Sequence, residues 1–387
     1  MIRKIQISGL YSFGNGLQTI DFTAKPKIKL ANTKYEYNFN IDERSRPMKS
    51  AIFFGQNASG KTNLFLSIKI LLNIIRNGLN QFYSNVAFDD VLNKDSKQIQ
   101  LGIEVSDGNK IFEYFICFDQ NQLKTEKFLV NGKELYIYDD EKAKFRFKEF
   151  GSSDTIGDTI DNQLGKLLSR KLSESIFVTI RDFDFEMRKK FFNIISKIDI
   201  YMTSSFSKEY VVEFKKDKKD YFLDNKNNLL KIVQIIDKTI DDFDFEEIQK
   251  GDDSEYRICF YRNKIRFDYK EESEGLKKIW QLIDSLYNVI RQGRVLIVDE
   301  LDSSISTKAL IEIFNEFVNS SENKKGQLIV TSHNVLLFDI TFLHSQQIFL
   351  VEKNRELYTT IKTYYDYDIK SNRKYAYVDY LKGSFDE

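Results

Sequence analysis

The run Gly55-Gln56-Asn57-Ala58-Ser59-Gly60-Lys61-Thr62 fits the spacing G-x4-G-K-[ST]. In such a loop, backbone N–H groups and a helix N-terminus surround phosphates, the lysine reaches the β- and γ-phosphates, and the hydroxyl ligates Mg2+. The context on both sides agrees. Residues 50–54 are a short apolar run of the kind that forms a buried strand, and an apolar helical pattern follows over 64–79. Strand, glycine loop and helix in that order predict a site for a nucleoside triphosphate. Its binding residues are Gly55, Asn57, Ser59, Gly60, Lys61, Thr62 and Asn63.

A second apolar run, 294–298, ends in the paired carboxylates Asp299-Glu300. Because side chains alternate along a strand, one of them can face a metal and the other an attacking water. That predicts Asp299 beside Thr62 as a Mg2+ ligand and Glu300 as the base. His333 follows the apolar residues 328–330 by three positions, at the carboxyl end of a strand, where ligands bind in open α/β sheets. A γ-phosphate sensor is the expected role, and His344, which has no such context, is expected to be structural.

Around these motifs the chain divides in three. Residues 1–150 hold a hairpin over 2–22, the loop-bearing strand and helix, and alternating runs over 98–150 that predict an antiparallel meander. Residues 151–255 are polar, Lys- and Asp-rich and helical in pattern, and are expected to be a helical insertion. No heptad persists there for the three or four repeats a coiled-coil arm needs. Residues 256–387 alternate strand and helix: a strand pair over 256–269, a helix over 273–292, strands at 294–298, 327–330 and 347–351, and a helix over 307–319. Such alternation indicates a parallel sheet covered by helices.

Composition narrows the chemistry. The 387 residues balance 58 Lys+Arg against 58 Asp+Glu, so no global field steers the chain toward nucleic acid. Two Cys and two His are too few for a disulfide framework, a zinc finger or a multi-histidine metal site. No stretch has the ~18 uninterrupted apolar residues of a membrane span, and no apolar leader opens the sequence, so a cytoplasmic location is expected. The lysines over 215–219 and 264–270 could contact phosphate backbones, yet each run is interleaved with acids and equally fits a solvated face.

Taken together, Asp299-Glu300-Leu301-Asp302-Ser303-Ser304 and Thr331-Ser332-His333-Asn334 resemble the Walker B, D-loop and switch-histidine series of ABC-type ATPases, in particular their SMC- and Rad50-like subgroup. Glu272-Ser273-Glu274-Gly275-Leu276-Lys277 resembles the shortened signature of the bacterial AAA15 ATPases, which are ABC-like and include the ATPase part of OLD-family nucleases. Tyr380-Leu381-Lys382-Gly383 is similar to that family's C-terminus. The resemblance implies an α/β, ABC/SMC-like P-loop NTPase head with a parallel core sheet, an antiparallel β lobe and a helical insertion. It implies ATP and Mg2+ as cofactors, Glu300, Lys61 and His333 as catalytic residues, and Asp302 in the D-loop. Ser273 and Gly275 would contact the γ-phosphate held by a second chain, although Ser273 equally fits an ordinary helix N-cap. Phe13, within Tyr11-Ser12-Phe13, would pack near adenine or else in the core. The Q-loop is open between Gln98 and Gln100.

The same resemblance, which extends to ATPases of anti-phage systems such as AriA of PARIS and the AbiL and PtuA types, implies slow hydrolysis at sites shared in a homodimer or larger homo-oligomer. It further implies control of a separate effector, a nuclease or toxin, with a phage protein or nucleic acid as trigger. The 54 residues after His333 (387 minus 333) are too few for the Toprim nuclease of OLD proteins. The alternative is a Rad50-like ATPase that tethers or repairs DNA.

Overall fold

The computed structural model describes residues 1–26, 28–41, 45–147, 154–206, 213–250, 253–339 and 341–367. The Tyr380-Leu381-Lys382-Gly383 match lies outside the described residues.

The phosphate-loop strand organises the molecule. β1 (Ile2–Ser8) and β2 (Gln18–Asp21) form the expected hairpin, and β3 (Ser50–Phe54) is buried along its whole length. The chain continues through α1 (Lys61–Asn77), α2 (Leu79–Asn85) and α3 (Phe88–Val91) to the meander β4 (Ile99–Ser106), β5 (Ile111–Phe118), β6 (Leu123–Val130), β7 (Lys133–Asp139) and β8 (Lys142–Phe145). There follow α4 (Asp154–Leu168), α5 (Ile176–Thr179), α6 (Glu186–Ile195), β9 (Ile198–Tyr201), β10 (Glu213–Phe214), α7 (Lys216–Asp224) and α8 (Lys226–Ile236). The last part comprises β11 (Asp242–Lys250), β12 (Asp253–Arg262), β13 (Ile265–Asp268), α9 (Glu274–Gln292), β14 (Val295–Val298), α10 (Thr307–Glu312), β15 (Gln327–Ser332), β16 (Ile348–Lys353) and β17 (Thr359–Thr363).

The described residues form three sheets. The core sheet has the order β17-β16-β3-β15-β14-β9, parallel except for the antiparallel edge β17. The antiparallel lobe is β2-β1-β4-β5-β6-β7-β8, and a small sheet pairs β10, β12 and β11 with β13 beside β12. Alternation along the core strands places Ala51, Phe53, Ile297, Ile329 and Phe349 on the face packed against α1 and the antiparallel lobe. It places Ile52, Phe54, Leu296, Leu328 and Leu350 on the face under α8, α9 and α10. Phe53 and Phe349 stack across neighbouring strands with ring centroids 4.6 Å apart. Helix α9 is amphipathic, burying Leu276, Ile279, Trp280, Leu282, Ile283, Leu286 and Val289, and it stops at Gly293, whose φ of 64° satisfies the left-handed C-terminal cap.

Residues 151–255 depart from a helical insertion. They carry α4 to α8, but β9 adds the outer parallel strand of the core sheet, in register with β14 from Val295↔Ile198 to Val298↔Tyr201. A boundary at 255/256 would cut β12 in two. The four-residue β9 has too short an alternation to stand out from its polar surroundings, and pairing with a buried strand overrides the local pattern. The helix expected over 307–319 becomes a π-helix at Ile313–Val318. Among the described residues no helix is long and apolar enough to cross a membrane.

Candidate functional site

The site lies at the carboxyl edge of β3, β14 and β15. Between β3 and α1 the chain turns through Ala58 at φ 64° and Gly60 at φ 110°. A Cβ at Gly60 would lie 2.1 Å from Thr359 Oγ1, and one at Gly55 would lie 2.3 Å from the Val351 carbonyl. Both positions therefore need glycine, for conformation or for space. Thr359 Oγ1 donates to the Ser59 carbonyl (2.8 Å) and shares a hydrogen bond with Ser12 Oγ (2.7 Å), which in turn accepts from Asn63 Nδ2 (2.9 Å). The loop is thus braced by β17 and by the turn after β1. Asn57 is exposed, whereas Ser59 is buried with an unpaired hydroxyl.

Lys61 is buried, and its Nζ donates to the carbonyls of Gly55 (2.6 Å) and Gln56 (3.0 Å). Burial lowers its pKa, against the opposing pull of the Asp299, Glu300 and Asp302 carboxylates. An ammonium hydrogen-bonded to loop carbonyls fits a multiply charged phosphate, which would compete well for it.

Asp299 is 1% exposed and fully engaged. Its Oδ2 accepts from Thr62 Oγ1 (3.1 Å) and Thr203 Oγ1 (3.1 Å), and its Oδ1 accepts from Thr331 Oγ1 (2.6 Å). These hard oxygen donors suit Mg2+. The next residue, Glu300, has a left-handed φ of 51°, its N–H donates to Thr331 Oγ1 (2.7 Å), and its Oε1 lies 3.4 Å from His333 Nε2. Asp302 ties the D-loop to the switch segment, its Oδ2 accepting from the N–H groups of His333 (3.0 Å) and Asn334 (2.9 Å). Lys61, Thr62, Asp299, Glu300, Asp302 and His333 therefore converge.

Ser273 and Gly275 lie at the start of α9. Ser273 Oγ accepts from Leu276 N–H (3.2 Å) as the N-cap of α9, and Gly275 passes beneath the D-loop, where a Cβ would meet the Ser304 carbonyl at 2.4 Å. Glu272, just before them, is gripped by Arg262 through two bonds of 2.7 and 2.8 Å, and Arg262 also holds Asp237.

Phe13 is corrected. It is 1% exposed and lies in the core cluster, so its ring has no face to offer a base; in an aromatic-rich chain, packing claims it. Gln100 lies within β4 opposite Ser8 and Cys117, and Gln98 immediately precedes that strand, so both stand on the antiparallel lobe. His344 is packed against Tyr35 and Phe39, and burial pushes its imidazole down to about 4. In the stretch 215–219, Lys218 pairs with Asp284 and Lys219 covers the Tyr256 ring; in the stretch 264–270, Arg266 pairs with Glu246.

Thr203, Thr331, Thr359 and Lys278 were not assigned from the sequence. Thr331 had a signal, because in neighbouring parallel strands Val298↔Val330 puts it level with Asp299. Thr203 follows β9, whose place in the core sheet no local pattern announces.

A glycine loop between a buried parallel strand and a helix, facing an acidic strand end and a histidine, defines a nucleotide-binding ATPase head of the P-loop class. The chain belongs to the family described as "AAA domain, putative AbiEii toxin, Type IV TA system", whose model matches residues 50–339, well over half of its length. Its fold is similar to that in the "Crystal structure of the SmcHead bound to the C-winged helix domain of ScpA", with a TM-score of 0.51 and 13% identity over 94% of this chain and 97% of that one. The "SMC head domain from Thermotoga maritima" is also similar, with a TM-score of 0.47 and 12% identity over 94% of this chain and 98% of that one. The first likeness shows an SMC-head-like fold. No curated protein matches the chain in sequence.

Proposed function

We propose that the chain is an ATP-dependent switch that closes its sites between two copies of itself, hydrolyses ATP slowly and thereby controls a separate effector protein in anti-phage defence. The observation that carries the catalytic half is the carboxylate of Glu300. It sits beside His333 at 3.4 Å, on the strand end whose preceding residue accepts from Thr62.

In this reading Lys61 exchanges the Gly55 and Gln56 carbonyls for phosphate oxygens. Thr62 and Asp299 would hold Mg2+, which when bound would neutralise phosphate charge. Glu300 orients a water and takes its proton, and His333 answers to the γ-phosphate. Ser273, exposed at the start of α9, and Gly275, buried two residues on, serve the partner's nucleotide and not their own. The family's description as "putative AbiEii toxin, Type IV TA system" supports the defence setting, and the separate effector rests on the resemblance to anti-phage ATPases. That the similar SMC head is bound to a winged-helix domain of ScpA supports an effector docked as a separate chain, and the proposed setting is the cytoplasm. The local engagement of Lys218, Lys219 and Arg266 weighs against DNA tethering.

Glu300→Gln keeps shape but cannot take a proton, so it is expected to bind ATP, accumulate an ATP-bound dimer and lose turnover by about a hundredfold or more. Single-turnover kinetics with native mass spectrometry read this out, and wild-type turnover in the variant refutes the assignment. Mixing Ser273→Arg with Lys61→Ala chains tests sharing: one intact composite site per heteromer restores activity, whereas none returns if each chain works alone. Tight, salt-dependent binding of duplex DNA would favour the DNA-tethering alternative.

A further inference from the structure

Lysine is rarely buried, yet Lys278 is only 5% exposed and interrupts the apolar stripe of α9. Its ammonium has three donors, and three acceptors meet it: the Glu300 carbonyl, the Ser303 hydroxyl and the Ser303 carbonyl at 3.3 Å. The ring of Phe206 faces it at 4.8 Å. Although Asp299, Glu300 and Asp302 surround the charge, every one of these hydrogen bonds goes to the turn's peptide carbonyls or to a hydroxyl. Charge keeps the ammonium there, and its donors fix the turn's shape.

That turn is held in an uncommon conformation. Glu300 at φ 51° and Ser304 at φ 69° are both non-glycine residues in the left-handed region, and such geometry persists only where neighbours over-determine it. One side of the turn is fastened to the switch segment by Asp302 and Thr331. The other is fastened to α9 twice, at Gly275 beneath the Ser304 carbonyl and at Lys278 on the Glu300 carbonyl. Gly275 and Lys278 are three residues apart, so they lie on one face of the helix that Ser273 caps.

We infer that Lys278 is the positioning residue that couples the start of α9 to the catalytic turn, so that engagement of Ser273 by a partner sets the aim of the Glu300 carboxylate. The inference rests on the composite ATP site proposed above. Lys278 touches no reacting atom in it; it acts through the backbone of Glu300 and Ser303. A displacement of the start of α9 is passed to residues 300–304 through the hydrogen bonds of Lys278, beside the packing of Gly275 on Ser304, and then to His333 through Asp302.

Lys278→Met keeps the length of the stem and removes the three donors. Expected are ATP affinity within about twofold of wild type and a kcat lower by on the order of a hundredfold, because a misaimed base costs rate and not binding. Amide hydrogen exchange at 300–304 in the nucleotide-free protein should quicken, while that of α1 stays unchanged. Ser303→Ala, at an exposed position, removes one acceptor without disturbing the core; a several-fold fall in kcat is expected, and little further effect in the Lys278→Met background. Wild-type kcat in Lys278→Met, or unchanged exchange at 300–304 in a folded variant, overturns the inference. So does a silent Ser303→Ala if Lys278→Met fails to fold. If the wild-type protein does not hydrolyse ATP, the composite-site reading fails instead, and the exchange experiment still decides whether Lys278 holds the turn.

Discussion

The antiparallel lobe and the carboxyl edge of the core sheet both bury charge, and they do so in opposite ways. In the lobe, Glu126 is fully enclosed and its carboxylate accepts from Tyr136 OH (2.7 Å) and from the N–H groups of Ile176 (2.6 Å) and Phe177 (2.9 Å). Burial pushes its carboxyl up to about 7, against those hydrogen bonds. Each partner belongs to the fold and has nowhere else to turn. At the core-sheet edge, Lys61 holds two carbonyls of a loop and Asp299 accepts from three threonine hydroxyls, partners that a phosphate or a metal ion could replace. A buried charge with irreplaceable partners is architecture, and one with replaceable partners is a site.

Substitutions should separate the two. The largest effect is expected at Lys61→Ala, where ATP affinity in calorimetry falls by about a hundredfold or more while the thermal midpoint moves little. Next, Glu126→Ala leaves two N–H groups and a phenol without an acceptor and should cost about 3 kcal/mol in urea unfolding, with ATP affinity intact. An effect of Glu126→Ala on nucleotide binding would break the distinction. Smaller is the pH dependence. A carboxyl raised from 4.5 to about 7 on folding binds its proton more tightly in the native state. Its stabilising share is therefore complete below pH 4.5 and is lost as pH rises toward 7. Glu126→Gln should flatten that slope in thermal midpoints measured across this range. Smallest is Phe13→Leu, expected to cost less than about 1.5 kcal/mol as a core replacement and to leave ATP affinity unchanged. A clear loss of affinity would return the ring to the base-binding surface.

Sequence reading succeeded where a motif is compact and its chemistry demands particular residues. The phosphate loop, Asp299-Glu300 and His333 stand at strand ends that apolar runs mark by themselves, and the core sheet follows from their order. It failed where position depends on distant pairing. β9 has four residues, Ile-Asp-Ile-Tyr, and becomes a core strand only because β14 lies beside it. In β11, Phe243 and Phe245 alternate with acids that mask the strand pattern. Phe13 was ambiguous because 33 Phe and 21 Tyr make any single aromatic weak testimony. Lys278 was legible in principle, as a charge on the apolar stripe at 276, 279, 282 and 283, but its acceptors on the D-loop belong to another part of the chain.

The strand order also sets a timetable for folding. The lobe joins strands that mostly follow one another, so nearly all of it can pair once residue 145 has been synthesised. By contrast, β3 has to wait for β15 and β16, at 327–332 and 348–353, before either of its edges is covered. Loop closure over so many residues is slow and comes late. A nascent chain halted near residue 320 would carry a formed lobe and a phosphate-loop strand with both edges bare, prone to self-association and silent toward ATP. Nucleotide binding in this molecule would therefore also report that β15 and β16 have closed on both edges of β3.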